Sequence, residues 1–132
     1  MLSQQPRELD QNNGQTNSPS SAKSVFGYTE RELDIHFRMY GALLGEIGPN
    51  MRQIDVNFGD NWLHIVCYVD GSIQEEDEES ISCVETEMLA AYPESHKISY
   101  EMVRLDFPKR LPKDRSLPVY RRREDTEKWE DL

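Results

Sequence analysis

Residues 68–79 force the chain to change from one type of secondary structure to another within a short stretch. Val69 ends an apolar strand, and Asp70-Gly71 is a turn dipeptide. Five consecutive acidic residues follow, Glu75, Glu76, Asp77, Glu78 and Glu79. Carboxylates in the first turn of a helix are favoured by the helix dipole. A strand, a turn and a helix in direct succession predict a fold that mixes α and β elements.

Helical spacing upstream of this stretch predicts a first helix. It begins at Thr29, because Thr29 and Glu32 have the spacing of a capping box, and it ends at residues 48–50. Its apolar stripe is expected to pack into the core, with Met39 and Leu43 widening the same face. That stripe consists of Leu33, Phe37, Tyr40, Leu44 and Ile47.

Alternating apolar residues predict the sheet. The predicted strands cover residues 52–58, 62–69, 97–107 and 119–123, and helical spacing predicts a second helix over residues 74–91. Ser72 and Glu75 have the spacing of a second capping box. The element order is α-β-β-α-β-β. It indicates an α+β fold, a two-layer α/β sandwich with a mainly antiparallel sheet of about four strands.

Composition divides the chain into three segments. Residues 1–24 are rich in Gln, Asn, Ser, Gly and Pro, so they are expected to be a disordered polar tail. Residues 25–123 are expected to form a single α+β domain, since 132 residues suit one domain. Residues 124–132 are predicted to be a charged C-terminal tail that frays or forms a weak helix.

Charge narrows the classes of partner. The chain has 15 basic and 25 acidic residues, a net charge of −10, and residues 25–106 alone carry 17 acidic and 5 basic residues. An acidic body of this kind repels nucleic acid and anionic membranes and attracts basic proteins. No run of apolar residues is long enough to span a membrane, and no secretory signal is visible. We therefore expect a cytoplasmic protein that binds neither nucleic acid nor membrane directly.

No recognisable catalytic or metal-binding motif occurs. The three histidines, His36, His64 and His96, are isolated, and no glycine-rich phosphate loop is present. Cys67 and Cys83 lack metal-ligand spacing and are predicted to be small buried residues. The sequence thus predicts no enzyme, no catalytic residue, no metal and no cofactor.

Three features have both a structural and a functional explanation. The acidic run is either a solvated helix start or a docking patch for a basic partner. Trp62 and Tyr68 lie on the more polar face of their strand, where they either pack ordinarily or serve as interface anchors. Arg104 and Asp106 share one face of a strand, and a structural ion pair is favoured over a site.

Several short strings carry a resemblance to a known family. They are Leu43-Leu44-Gly45-Glu46-Ile47, Tyr68-Val69-Asp70-Gly71 with the acidic run, Arg104-Leu105-Asp106-Phe107-Pro108, Leu111-Pro112 and Val119-Tyr120-Arg121-Arg122. Together, over residues 28–123, they resemble a bacterial family of immunity proteins from contact-dependent growth inhibition systems. Gln74 stands where that family often has a helix-capping residue, which places the expected cap at Ser72.

The resemblance implies a cytoplasmic immunity protein of a toxin–antitoxin pair. It would bind and neutralise the C-terminal domain of a cognate toxin, often a nuclease, whose basic surface suits an acidic inhibitor. The expected partner-binding residues are Asp60, Trp62, Tyr68, Asp70, Glu75, Glu76, Asp77, Glu78 and Glu79. The alternative is a small acidic adaptor or regulatory module that binds a basic cellular protein.

Overall fold

The computed structural model describes residues 27–113 and 116–131, so the predicted tail over residues 1–24 lies outside the described chain. The elements are α1 (Glu30–Leu43), β1 (Met51–Gly59), β2 (Trp62–Val69), α2 (Glu75–Ala91), β3 (Lys97–Arg104) and β4 (Leu117–Arg121). This order confirms the predicted α+β class. The described chain separates into two compact units, one ending at Ile35 and the other beginning at His36. The predicted domain boundaries stay a prediction.

The four strands form one mixed sheet in the order β3-β2-β1-β4. β1 pairs antiparallel with both β2 and β4, as the short turn after β1 requires for the first pair. β2 and β3 pair in parallel because α2 lies between them in the chain and returns it to the starting end of β2. The sheet is therefore antiparallel in two of its three pairings.

One face of the sheet, the inner face, forms the centre of the core. Its buried side chains alternate along β1 and β2 and are Ile54, Val56, Leu63, Ile65, Cys67 and Val69. α2 packs against β3 and buries Ile81, Val84 and Met88. Burial, and then the charge of Asp77, raise the pKa of the Cys67 thiol to about 12. Cys67 is thus buried as predicted, whereas Cys83 is exposed because it lies beside the buried stripe of α2.

The buried face of α1 overlaps the predicted one only at its edge, where Met39 and Leu43 lie. The buried residues are Ile35, Met39, Ala42 and Leu43, while Phe37, Tyr40, Leu44 and Ile47 are exposed. α1 carries two apolar stripes, and helical spacing alone does not say which of them faces the core. The prediction selected the stripe with the larger side chains, and that selection was wrong, whereas the expected burial of Met39 and Leu43 is confirmed.

The two helices begin differently. At α1 the predicted capping box is confirmed, since Thr29 N donates to Glu32 Oε1 (2.9 Å) and Glu32 N donates to Thr29 Oγ1 (3.1 Å). At α2 the N-cap is Gln74, which makes no capping bond, and its Nε2 donates to Ser72 Oγ (2.8 Å) instead. The expected cap at Ser72 was therefore wrong, and the start of α2 relies on the acidic residues of its first turn.

A buried arginine lies at the centre of a polar network. Arg52 is the extra residue of a bulge at the start of β1, and its side chain has no exposed surface. Its Nε and Nη2 donate to the two carboxylate oxygens of Glu124 (2.7 and 2.8 Å). Nη1 and Nη2 also donate to the carbonyls of Leu105 (2.7 Å) and Lys109 (2.8 Å). The guanidinium thus joins β1 to two segments that are distant in sequence.

Glu124 fixes the C-terminal segment in place. Its side chain is 3% exposed and also accepts from Arg122 Nε (2.8 Å) and Trp129 Nε1 (3.0 Å). Burial alone would raise the pKa of Glu124, but the hydrogen bonds from Arg52, Arg122 and Trp129 outweigh it and hold that pKa at about 2. Further along, a 3-10 helix covers Thr126–Lys128 and the backbone of Glu130 pairs with residues 108–110. The stretch expected to fray or form a weak helix is thus hydrogen-bonded to the domain.

Truncating one side chain on each face of α1 should show which face lies in the core. We expect Met39→Ala to lower the free energy of unfolding by about 2–5 kcal/mol, because it removes a buried side chain. Phe37→Ala should change it by about 0.5 kcal/mol or less, since Phe37 is exposed. Urea denaturation of both variants measures the difference. Equal destabilisation by the two would contradict the assigned orientation of α1.

Removing the charge of Glu124 should be costly. We expect Glu124→Gln to lower the free energy of unfolding at neutral pH by about 3–5 kcal/mol, because it leaves the Arg52 charge buried and uncompensated. The exposed neighbour Glu127→Gln is the matched control, with an expected change of about 0.5 kcal/mol or less.

The variants Glu124→Gln and Glu127→Gln should also respond differently to acid. The pKa of Glu124 is lowered from 4.5 to about 2 in the folded protein, so its stabilisation is complete above pH 4.5 and is lost as pH falls towards 2. Urea denaturation across this range should show that loss in the parent and in Glu127→Gln. The same loss in Glu124→Gln would show that other carboxylates cause it.

Candidate functional site

The acidic run occupies the exposed start of α2, with one exception. Glu75, Glu76, Glu78 and Glu79 are exposed, whereas Asp77 is buried. Asp77 precedes Ile81 by four residues, which places it on the buried stripe of the helix. That spacing was readable in the sequence. The four glutamates therefore form the exposed charge, and we refer to them as the glutamate patch.

Asp77 packs against the loop that follows α1. A Cβ atom added at Gly48 would lie 2.5 Å from Asp77 Oδ1, so a larger residue there would displace this carboxylate. Burial, and then the charge of Glu76, raise the pKa of Asp77. The carboxylate thus connects the loop after α1 with the first turn of α2, and its place is within the protein rather than on the exposed patch.

Asp70 is also engaged within the protein. Its Oδ1 accepts from Phe107 N (3.2 Å) and its Oδ2 accepts from Arg122 Nη2 (2.8 Å). Its side chain is 33% exposed, so it remains at the surface while holding the chain after β3. Asp70 therefore has a structural role that the sequence analysis did not foresee.

The expected Arg104–Asp106 ion pair is present. Arg104 Nε and Nη2 donate to the two oxygens of Asp106 (3.0 and 3.1 Å). Gly71 N also donates to Asp106 Oδ1 (2.8 Å), from a backbone with φ of +87° that favours glycine. The hydrogen bond from Arg104, and then that from Gly71, lower the pKa of Asp106. Two strings of the resemblance, Tyr68-Val69-Asp70-Gly71 and Arg104-Leu105-Asp106-Phe107-Pro108, thus contact each other.

Asp60 and Trp62 lie at the hairpin between β1 and β2, away from the glutamate patch. Trp62 is 43% exposed, and its indole ring lies over the backbone of Gly59, where an added Cβ atom would overlap it. β2 extends from Trp62 to Val69, a length of about 23 Å at 3.3 Å per residue. Since α2 begins beyond the far end of β2, the structure separates the predicted site residues into two groups.

Tyr68 is half-buried on the outer face of the sheet, beside polar residues that hydrogen-bond to one another. His64 bridges Ser99 Oγ (2.7 Å) and Glu101 Oε1 (2.8 Å) on β3. On β1, Gln53 and Asp55 are each 1% exposed, and Gln53 Nε2 donates to Asp55 Oδ1 (2.8 Å). The burial of Gln53 and Asp55 was not foreseen, because alternation alone placed β1 polar residues towards solvent.

A small cleft adjoins this polar pair. Its volume is about 80 Å³, and it is lined by Gln53, Asp55, Pro112, Lys113, Ser116, Pro118 and Arg121. Pockets that hold small-molecule ligands usually measure about 300–1,000 Å³. The cleft therefore suits a few water molecules or one side chain better than a substrate.

Across residues 27–113 and 116–131, His, Cys, Asp and Glu side chains nowhere gather in a group of three or more that could hold a metal ion. In the same residues, neither helix has the length and apolar character needed to cross a membrane. The ring of His96 stacks on Tyr92 with centroids 5.1 Å apart, which gives it a packing role.

Comparison with known proteins identifies the family. Residues 32–124 match the model of the MafI2 immunity protein family. No curated protein matches the chain. The match confirms the class implied by the resemblance, an immunity protein, and it favours that class over an adaptor module. The family is named for MafI2, so membership of a contact-dependent growth inhibition system stays a prediction. Since the match covers well over half of the sequence, the chain belongs to the MafI2 immunity protein family.

Proposed function

We propose that the protein binds a cognate toxin domain in the cytoplasm and neutralises it by binding alone, with the glutamate patch steering the toxin to its site. Membership of an immunity protein family carries this proposal, because such a family implies a toxin as the partner. The negative charge of the chain favours one kind of toxin. A basic domain such as a nuclease, of the kind delivered in contact-dependent growth inhibition, is the complement of an acidic inhibitor.

The glutamate patch supports steering because its charge is concentrated. Four carboxylates lie within two turns at the start of one helix, on a chain with a net charge of −10. Oppositely charged patches raise association rates and fix orientation more than they raise affinity. The patch is therefore suited to attract a basic surface and to repel acidic proteins.

We place the interface at the α2 end of the sheet rather than at the hairpin. The hairpin contributes one acidic residue, Asp60, whereas the α2 end contributes the whole glutamate patch. Asp70 and Asp77 support this end from inside, since both are held by contacts within the protein. Trp62 lies at the end of β2 that is remote from the patch.

Charge reversal tests the proposal. We expect Glu75→Lys, Glu78→Lys and Glu79→Lys in combination to lower the association rate constant by about tenfold or more at low salt, and to flatten its salt dependence. The probe is a catalytically inactive C-terminal domain of the toxin encoded immediately upstream, and stopped-flow mixing at low and high salt measures the rate.

The matched control reverses three exposed acids outside the patch, namely Asp60→Lys, Glu87→Lys and Glu94→Lys. Both triple variants change the net charge equally. Any difference between their association rate constants is therefore due to where the reversed charges lie. An equal effect of the two would remove the patch from the interface. Absence of binding by the folded parent protein would contradict the proposed function itself.

A further inference from the structure

The exposed face of α1 and the turn after it carry four large apolar side chains. Phe37 is 80% exposed, Tyr40 68%, Leu44 64% and Ile47 39%. The spacing of Phe37, Tyr40 and Leu44 places these three on one side at the end of α1, and Ile47 lies beyond the turn that follows the helix. We call this set the α1 stripe. Single exposed apolar residues are ordinary, but a contiguous line of them, including two aromatics, marks an interaction surface.

The α1 stripe leads directly to the glutamate patch. Ile47 is followed by Gly48, and Gly48 packs against Asp77 in the first turn of α2. Hydrogen bonds from Met51 N to Gly48 O (3.2 Å) and from Asp70 N to Asn50 O (2.8 Å) hold this loop in place. Glu76 and Glu78 flank Asp77 in the sequence and are exposed. The end of the stripe is therefore adjacent to the patch.

We propose that the α1 stripe is the apolar centre of the toxin-binding surface and that the glutamate patch is its charged rim; this inference rests on the proposed function. Specific interfaces combine an apolar, aromatic-rich centre with a polar rim. Large side chains near the centre contribute most of the binding free energy. The partner is accordingly a basic protein domain that presents an apolar patch surrounded by Lys and Arg.

Charge argues for this partner and against a second copy of the chain. A symmetric dimer brings the same surface of both copies together. Pairing through the α1 stripe would then bring together two chains that each carry a charge of −10. Like charges brought together at an interface oppose binding. A basic partner carries the opposite charge and is attracted to the same surface.

The stripe also provides the anchors that were expected at Trp62 and Tyr68. Trp62 lies at the other end of β2, and Tyr68 is half-buried on the outer face of the sheet. Phe37 and Tyr40 are more exposed than Trp62, so they lose more solvent contact when a partner covers them. The inference therefore moves the anchors from the sheet to α1.

The test is the double variant Phe37→Ala/Tyr40→Ala, with the same inactive toxin domain as the probe. We expect its equilibrium dissociation constant to rise by about 30-fold or more, as for loss of one hot-spot side chain. The change should lie mainly in the dissociation rate, because the glutamate patch still steers association. The matched control is Trp62→Ala/Leu89→Ala, which removes two other partly exposed apolar side chains and should leave the constant unchanged within about threefold.

Each outcome has a distinct meaning when the unfolding midpoints of both variants are near that of the parent. If the parent binds and Phe37→Ala/Tyr40→Ala binds equally well, the inference is wrong while the proposed function stands. If the folded parent does not bind, the proposed function fails and the inference fails with it. Size-exclusion chromatography gives a further check. A dimer that the double variant converts to monomer, with toxin affinity unchanged, would make the stripe a self-association surface and overturn the inference.

Discussion

Arg52 brings a full positive charge into the interior of a small domain, and several distant segments are positioned by the need to satisfy it. A buried guanidinium is tolerated only when its donors are paired, so Glu124 and the carbonyls of Leu105 and Lys109 must all be in place. Glu124 in turn accepts from Arg122, which also binds Asp70 at the end of β2. One charge thus connects β1, the chain after β3, and the C-terminal segment.

This network gives two of the strings that carry the resemblance a structural role. Asp70 and Gly71 hydrogen-bond to the segment over residues 104–108 through Phe107 N and Asp106. Both strings therefore serve to hold the loops beyond β2 and β3 in one arrangement. That arrangement fixes the turn from which α2 begins, and hence the direction in which the glutamate patch faces. Asp70, Gly71 and residues 104–108 thus support the proposed surface, whereas the glutamate patch forms part of its exposed side.

The sequence predicted element type and order well, because alternation in the strands and caps at the helices are local signals. The prediction failed where two local patterns fitted the sequence equally well. α1 has two apolar stripes, and only the packed structure shows that Phe37 and Tyr40 are exposed. Asp77 could have been identified from its spacing to Ile81, but five adjacent acids suggested one common role. The distance between Trp62 and the glutamate patch follows from the length of β2, so the predicted strand over residues 62–69 already contained it.

The glutamate patch contributes mainly to the rate of association and the α1 stripe mainly to the free energy of binding. Neither is sufficient alone. Exposed ion pairs are each worth about 0–1 kcal/mol, so four glutamates supply at most about 4 kcal/mol. A dissociation constant of 1 nM requires about 12 kcal/mol. Burying a large apolar side chain contributes about 1.5–3 kcal/mol, and the α1 stripe offers four of them. An immunity protein must capture its toxin quickly and hold it for a long time. The glutamate patch accounts for the first requirement and the α1 stripe for the second, which is why their adjacency through Gly48 matters for function.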